Sequence, residues 1–289
     1  MEKIIRIMTD SASDIPRDIE EKYNIDIIRI HVTVGEKSFK DRDISNEEFY
    51  ELITNSNIFP THSQITAYEF ETIYNKYYMQ GCTDLIYIAI ASNGSNTYSA
   101  ALMARDSFFE QNPNAKDKFR IHILDSGNYT GVEGYPVVQA AIKLSKGASV
   151  EEIIAFVEDW SAHAQVIFGC YTLEFVKRSG RVSTAAAFVG EMLGLRPILK
   201  IKQGISSTLA KVRGDKAVIP KIVEFTAAEI IPQTPYCLVY GIDYDLREQM
   251  EKEITKKLGY PPEMSFQIGA SVASNVGPYV VGTIFKKKD

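Results

Sequence analysis

Apolar residues recur along this chain in two rhythms, and their alternation predicts strands interleaved with helices. Runs at Ile4 to Met8, Leu85 to Ile90 and Ile121 to Leu124 are too short to cross a membrane and read as buried strands. Each ends in small, hydroxyl or acidic residues and then passes into a helical stretch. The organising stretch is 84–100, DLIYIAIASNGSNTYSA, where a strand gives way to Ser92, Asn93, Gly94, Ser95, Asn96 and Thr97. Thr9 to Asp14 and Asp125 to Thr130 repeat the design. Loops at the carboxyl ends of parallel strands gather on one sheet edge, so the three are expected to converge.

Other signals fill in the path. Ile25 to Val34 is predicted as a second strand, Glu36 to Phe39 as a short extension, and PTHSQ at 60–64 as a loop. SNEE at 45–48, TAYE at 66–69 and SVEE at 149–152 are capping boxes that open helices, and Gly81 stops the second of them. Near residue 150 the texture changes. A helix to about His163 leads to a strand at Gln165 to Cys170, a helix broken at Gly180, and a second helix in TAAAFVGEMLGL. Strands at Pro197 to Lys202 and Ser206 to Val212 flank a turn at Gly204. Helices follow over 215–230 and 246–258, with strands at 237–243, 264–273 and 280–285. The expected architecture is a two-domain α/β protein. Residues 1–163 form a mostly parallel sheet with helices on both faces and a small extension near 30–60, and 164–289 form an α+β domain.

Composition narrows the function. With 289 residues and 45% hydrophobic content, the chain can bury a substantial core. Its 32 Lys and Arg against 37 Asp and Glu leave a net charge of -5, which gives nucleic acid no basic face. Cys82, Cys170 and Cys237 are widely spaced, form no CxxC, and read as reduced core residues. The amino terminus lacks signal-peptide anatomy and no run suits stable membrane insertion, so a cytoplasmic protein is expected.

The candidate chemistry lies in the loops. Neutral donors at a helix amino end favour an anion, although the same residues also serve as ordinary turns and caps. A second class, a Mg²⁺-dependent phosphatase or phosphotransferase, would use Asp10, Asp14 and Asp125, but TDSASD lacks the DxD spacing that sets two carboxylates on one turn. No GxSxG elbow accompanies the four histidines at 31, 62, 122 and 163, and no phosphate-binding glycine loop follows a strand.

Six motifs in order carry a resemblance: TDSASD, PTHSQ, the Ser-Asn-Gly-Ser-Asn-Thr-Tyr loop, ILDS, LEFVKRSGRVS and the late Gly-Pro. Together they resemble the DegV family across nearly the whole chain. The resemblance implies a non-enzymatic lipid-binding protein with no cofactor, holding a long-chain fatty acid such as palmitate in a ligand slot between the two domains. It also implies a possible dihydroxyacetone-kinase-like fatty acid kinase as partner. His62, Ser63, Ser92, Ser95, Thr97, Arg181 and Asn275 are then the expected lipid-binding residues, with Arg181 near the carboxylate or the partner. About 14 methylenes at ~0.8 kcal/mol each would give up to ~11 kcal/mol before ordering costs. Ala185, Ala186, Ala187, Phe188, Val189, Met192 and Leu193 are expected to wall the tail.

Three departures from the family pattern stand out. His62 replaces a Thr, Gly94 and Asn96 replace a Leu and a Gly, and Asn275 with Tyr279 replaces the His and final Gly of His-x-Gly-Pro-Gly. Loss of that His bears on acyl-phosphate chemistry rather than on binding.

Overall fold

Residues 3–55, 58–180 and 194–288 are described by the structure, a computed structural model. Arg181, the run from Ala185 to Leu193 and the helix expected over TAAAFVGEMLGL lie outside the described residues.

A parallel sheet of order β2-β1-β6-β7 comprises β1 (Ile5–Asp10), β2 (Asp26–Ile28), β6 (Asp84–Ala89) and β7 (Arg120–Asp125). Every residue of β6 is buried, which explains its uninterrupted apolar character. Helices α3 (Ala67–Met79) and α4 (Thr97–Gln111) share one core with β6, while α5 (Gly131–Ser145) and α6 (Val150–His163) belong to another. Capping boxes fix the starts of α2 (Asn46–Thr54), α3 and α6 through the pairs Ser45 and Glu48, Thr66 and Glu69, and Ser149 and Glu152.

The segment expected as a single strand over Ile25 to Val34 splits. Asp26–Ile28 joins the parallel sheet, whereas β3 (His31–Val34) turns away to pair with β4 (Lys37–Lys40) and β5 (Thr61–Ser63). PTHSQ is therefore not simply a loop, because its centre forms β5 and is held in register by β3. Helix α1 (Arg17–Tyr23) begins after Pro16, preceded by a 3-10 turn at Ser11–Ser13.

A six-stranded mixed sheet of order β10-β9-β8-β13-β11-β12 is built from β8 (Ala164–Cys170), β9 (Leu195–Lys202), β10 (Ile205–Arg213), β11 (Tyr236–Tyr240), β12 (Met264–Gln267) and β13 (Val280–Lys286). One of its faces packs on α8 (Val218–Glu229) and α9 (Tyr244–Leu258). The other approaches α5 so closely that a Cβ on Gly131 would lie 2.3 Å from the Phe266 ring. The expected strand over 264–273 stops at Gln267. Residues Ala270–Val276 instead form α10, whose first turn is fixed when Asp14 and Asp41 accept the backbone N–H groups of Gly269 and Ser271 at 2.7 and 3.1 Å. Helix α7 (Glu174–Ser179) ends at Gly180, whose φ of +64° suits a residue without Cβ. Among the described residues, no helix is long and apolar enough to cross a membrane.

Candidate lipid site between the two sheets

The three loops meet. Asp10 accepts from the backbone N–H of Ile90 at 3.0 Å and from the Tyr87 hydroxyl at 2.9 Å, tying β1 to β6. Thr130 donates its N–H to the Ala12 carbonyl at 2.7 Å, and Ala91 donates to the Asn128 carbonyl at 3.0 Å. These bonds follow from the parallel register, which brings the carboxyl ends of β1, β6 and β7 side by side.

A cavity opens beneath them, between the parallel sheet and the six-stranded sheet. Its polar lining comes from His62, Ser63, Gln64, Ser95, Asn128, Thr130, Ser271 and Asn275. Its apolar walls come from Ile30 and Ile90 on one side and from Val166, Phe168, Ile201, Val239, Val276 and Val280 on the other. The centre of a water-sized sphere can reach ≈ 80 Å³. That is several times the ~10–15 Å³ that seats one water.

Four of the residues singled out by sequence share this cavity: His62, Ser63, Ser95 and Asn275. Ser63 is exposed at the rim, and Ser95 is half-buried. Thr97 is fully buried behind them, where its hydroxyl accepts from the Ile65 N–H at 3.2 Å and from the Ser95 hydroxyl at 3.0 Å. Ser92 points elsewhere. It lines a separate surface depression with Asn93, Gln203 and Asp125, and its N–H is taken by the Asp125 carboxylate at 3.1 Å.

Sequence reasoning passed over Tyr129, Thr130 and Ser271, all on the cavity wall. Thr130 has a φ of +50°, a strained value for a β-branched residue, and its buried side chain neighbours the Asp14 carboxyl. The signal was present in the ILDS motif and the Thr-Gly pair after it, but only the chain's return to Ala12 shows which of those residues face inward.

The acidic residues weighed for metal chemistry are occupied otherwise. Asp10 takes the Ala12 N–H at 3.1 Å on one oxygen and Ile90 and Tyr87 on the other. Asp14 holds Gly269 across the seam, and Asp125 closes its own turn on Gly127 at 2.8 Å. Burial raises the Asp10 carboxyl to about 6, opposed by those donors. Behind it Glu133 is fully buried and held well above the ordinary carboxyl range by desolvation and by the Asp10 charge.

Comparison with known proteins agrees with this geometry. Residues 4–288 match the model of the DegV family, described as uncharacterised proteins. A DegV domain-containing protein of Clostridium perfringens is 31% identical over 291 residues, spanning 98% of this chain and 99% of its own. A solved DegV family protein from Thermus thermophilus, described by its fatty acid binding, superposes with a TM-score of 0.85 at 26% identity, covering 99% of this chain and 100% of that one. A stearic acid-binding protein from Eubacterium ventriosum shares the fold with a TM-score of 0.86 at 21% identity, over 99% of this chain and 98% of its own. The match of the family model along almost the entire length, with a relative above 30% identity, makes this chain a member of the DegV family.

Proposed function

We propose that this protein carries a long-chain fatty acid, with the carboxylate at the polar end of the cavity and the tail along its apolar walls. The observation that carries this reading is that one cavity combines hydroxyl and amide side chains with aliphatic walls. The fatty acid binding described for the relative from Thermus thermophilus supports it.

In this reading Ser63 donates to the carboxylate, Ser95 turns its hydroxyl hydrogen to it from Thr97 Oγ1 while still accepting the Thr97 N–H, and His62 and Asn275 border it. Arg181, outside the described residues, is read as the cation that serves either the carboxylate or the partner. Ser92 belongs to the outer edge of the loop rather than to the ligand. Residues 1–163 supply most of the rim and 164–289 most of the tail wall, so the two domains act as jaws on one ligand. The exposure of Ser63 and Gln64 supports a head group held near the surface. There a cytoplasmic fatty acid kinase would phosphorylate it while the tail stays covered, and the carrier itself performs no chemistry.

Extraction of the purified protein with organic solvent, followed by mass spectrometry, tests the reading. One equivalent of fatty acid is expected. Absence of lipid, together with failure to take up palmitate after delipidation, would overturn it.

A further inference from the structure

Among the described lining residues, the titratable side chains are those of His62 and Tyr129 alone, and no Lys, Arg, Asp or Glu faces the cavity. The state of the imidazole therefore decides whether this part of the wall meets a carboxylate with a charge. His62 sits at the centre of β5, opposite Val32 of β3. Across the seam, α10 brings the Asn275 amide nitrogen to 3.0 Å from His62 Nε2, with the amide oxygen at 3.4 Å.

The same amide nitrogen lies 2.9 Å from the carbonyl oxygen of Ser271, one helical turn earlier. That carbonyl fixes the orientation of the amide. Turned over, Asn275 would press its own oxygen against another acceptor and lose the bond. An amide nitrogen has two hydrogens and no lone pair, so after one goes to Ser271 the other is offered to His62. Only an unprotonated Nε2 accepts it, which leaves the ring proton on Nδ1.

We propose that Asn275 is a positioning residue that holds His62 as the neutral Nδ1–H tautomer, so that the imidazole enters the cavity wall without charge. For ligand binding, this rests on the fatty acid reading above. A carboxylate would then be held at this wall by neutral hydrogen bonds, and its retention would be insensitive to pH where a free imidazole changes charge. On the neighbouring strands, His31 of β3 lies 3.4 Å from Glu69 and Lys40 of β4 lies 3.6 Å from the same carboxylate. Asp41 accepts the Ser271 N–H at the start of α10.

Nitrogen-15 NMR of the delipidated full-length protein, labelled at histidine and assigned with His62→Gln, reads the tautomer directly. His62 is expected to show a bare Nε2 and no change of charge from about pH 8 to about pH 6, the range in which a free imidazole titrates. A carboxylate at 275 cannot donate to Nε2 and favours imidazolium. In Asn275→Asp the ring should therefore titrate, and palmitate affinity should fall by about tenfold more than in the unaltered protein as pH rises over that range. An Nε2–H tautomer, an imidazolium in the unaltered protein, or identical titration in both proteins would overturn the proposal. Should the variant fail to fold, the spectrum of the unaltered protein decides alone. Failure to bind palmitate would remove the fatty acid reading and leave the tautomer result standing.

Discussion

The Tyr129 hydroxyl rests on the backbone of Gly94, where a Cβ would lie 1.7 Å from its oxygen and 2.7 Å from its Cζ. Both residues line the cavity, so the glycine admits an aromatic ring that any larger residue would expel. In the family pattern that position carries a Leu, and the two residues here form a matched pair. Gly94→Ala should destabilise the protein by about 1 to 3 kcal/mol through overpacking and reduce lipid occupancy. Adding Tyr129→Ala should recover most of the melting temperature. A double variant no more stable than Gly94→Ala would show that the two do not act together.

Ser95 has two duties. Its hydroxyl donates to Thr97 Oγ1 and accepts the Thr97 N–H at 3.2 Å, which steadies the start of α4, and it also faces the cavity. Ser95→Ala should weaken fatty acid binding by roughly 1 to 3 kcal/mol. The delipidated protein should lose about 1 kcal/mol as well, because a capping bond goes with the hydroxyl. Titration calorimetry and thermal unfolding of lipid-free protein separate the two losses.

Glu133 couples stability to pH. It is fully buried, with Oε1 accepting from Thr9 at 2.9 Å and its carboxyl beside that of Asp10, and its pKa lies well above the unfolded value. A carboxyl with a raised folded pKa favours the native state while protonated. Its contribution is complete below the unfolded pKa of about 4.3 and disappears as pH rises through the folded value. Glu133→Gln keeps the Thr9 bond, turns an amide toward Asp10 and removes this loss. The variant should be more stable than the parent by about 1 kcal/mol or more above neutrality, with a flatter dependence of melting temperature on pH. Equal slopes for both proteins would contradict this.

Among the described residues, Phe168 of β8 contributes the largest apolar side chain to the cavity lining. Phe168→Leu should open space along the cavity and shift the bound lipids toward longer or bulkier chains. Mass spectrometry of extracts from cells expressing each protein measures the shift. An unchanged lipid profile would place the tail away from β8.

Ligand removal should lower stability by mass action. With lipid at a hundredfold excess over its dissociation constant, binding adds about 2.7 kcal/mol, so delipidated protein should melt lower and recover when palmitate is restored. Identical melting of both forms would contradict tight retention.

Local chemistry settled much of this molecule in advance. The capping boxes, the glycine stop after α3, the uniformly apolar β6 and the hydroxyl loops at strand ends each depend on a few adjacent residues, and each is legible in the sequence. Tertiary structure decided the rest. Ile25 to Val34 divides between two sheets because pairing partners, rather than propensity, determine where an extended segment goes. Residues 270–276 coil because Asp14 and Asp41, more than two hundred positions away, take the N–H groups at the start of that helix. Thr97 and Ser95 are neighbours with the same kind of side chain, yet one is buried behind the other. Which hydroxyl meets the cavity depends on the direction of each bond in the folded chain, and a one-dimensional pattern carries no directions.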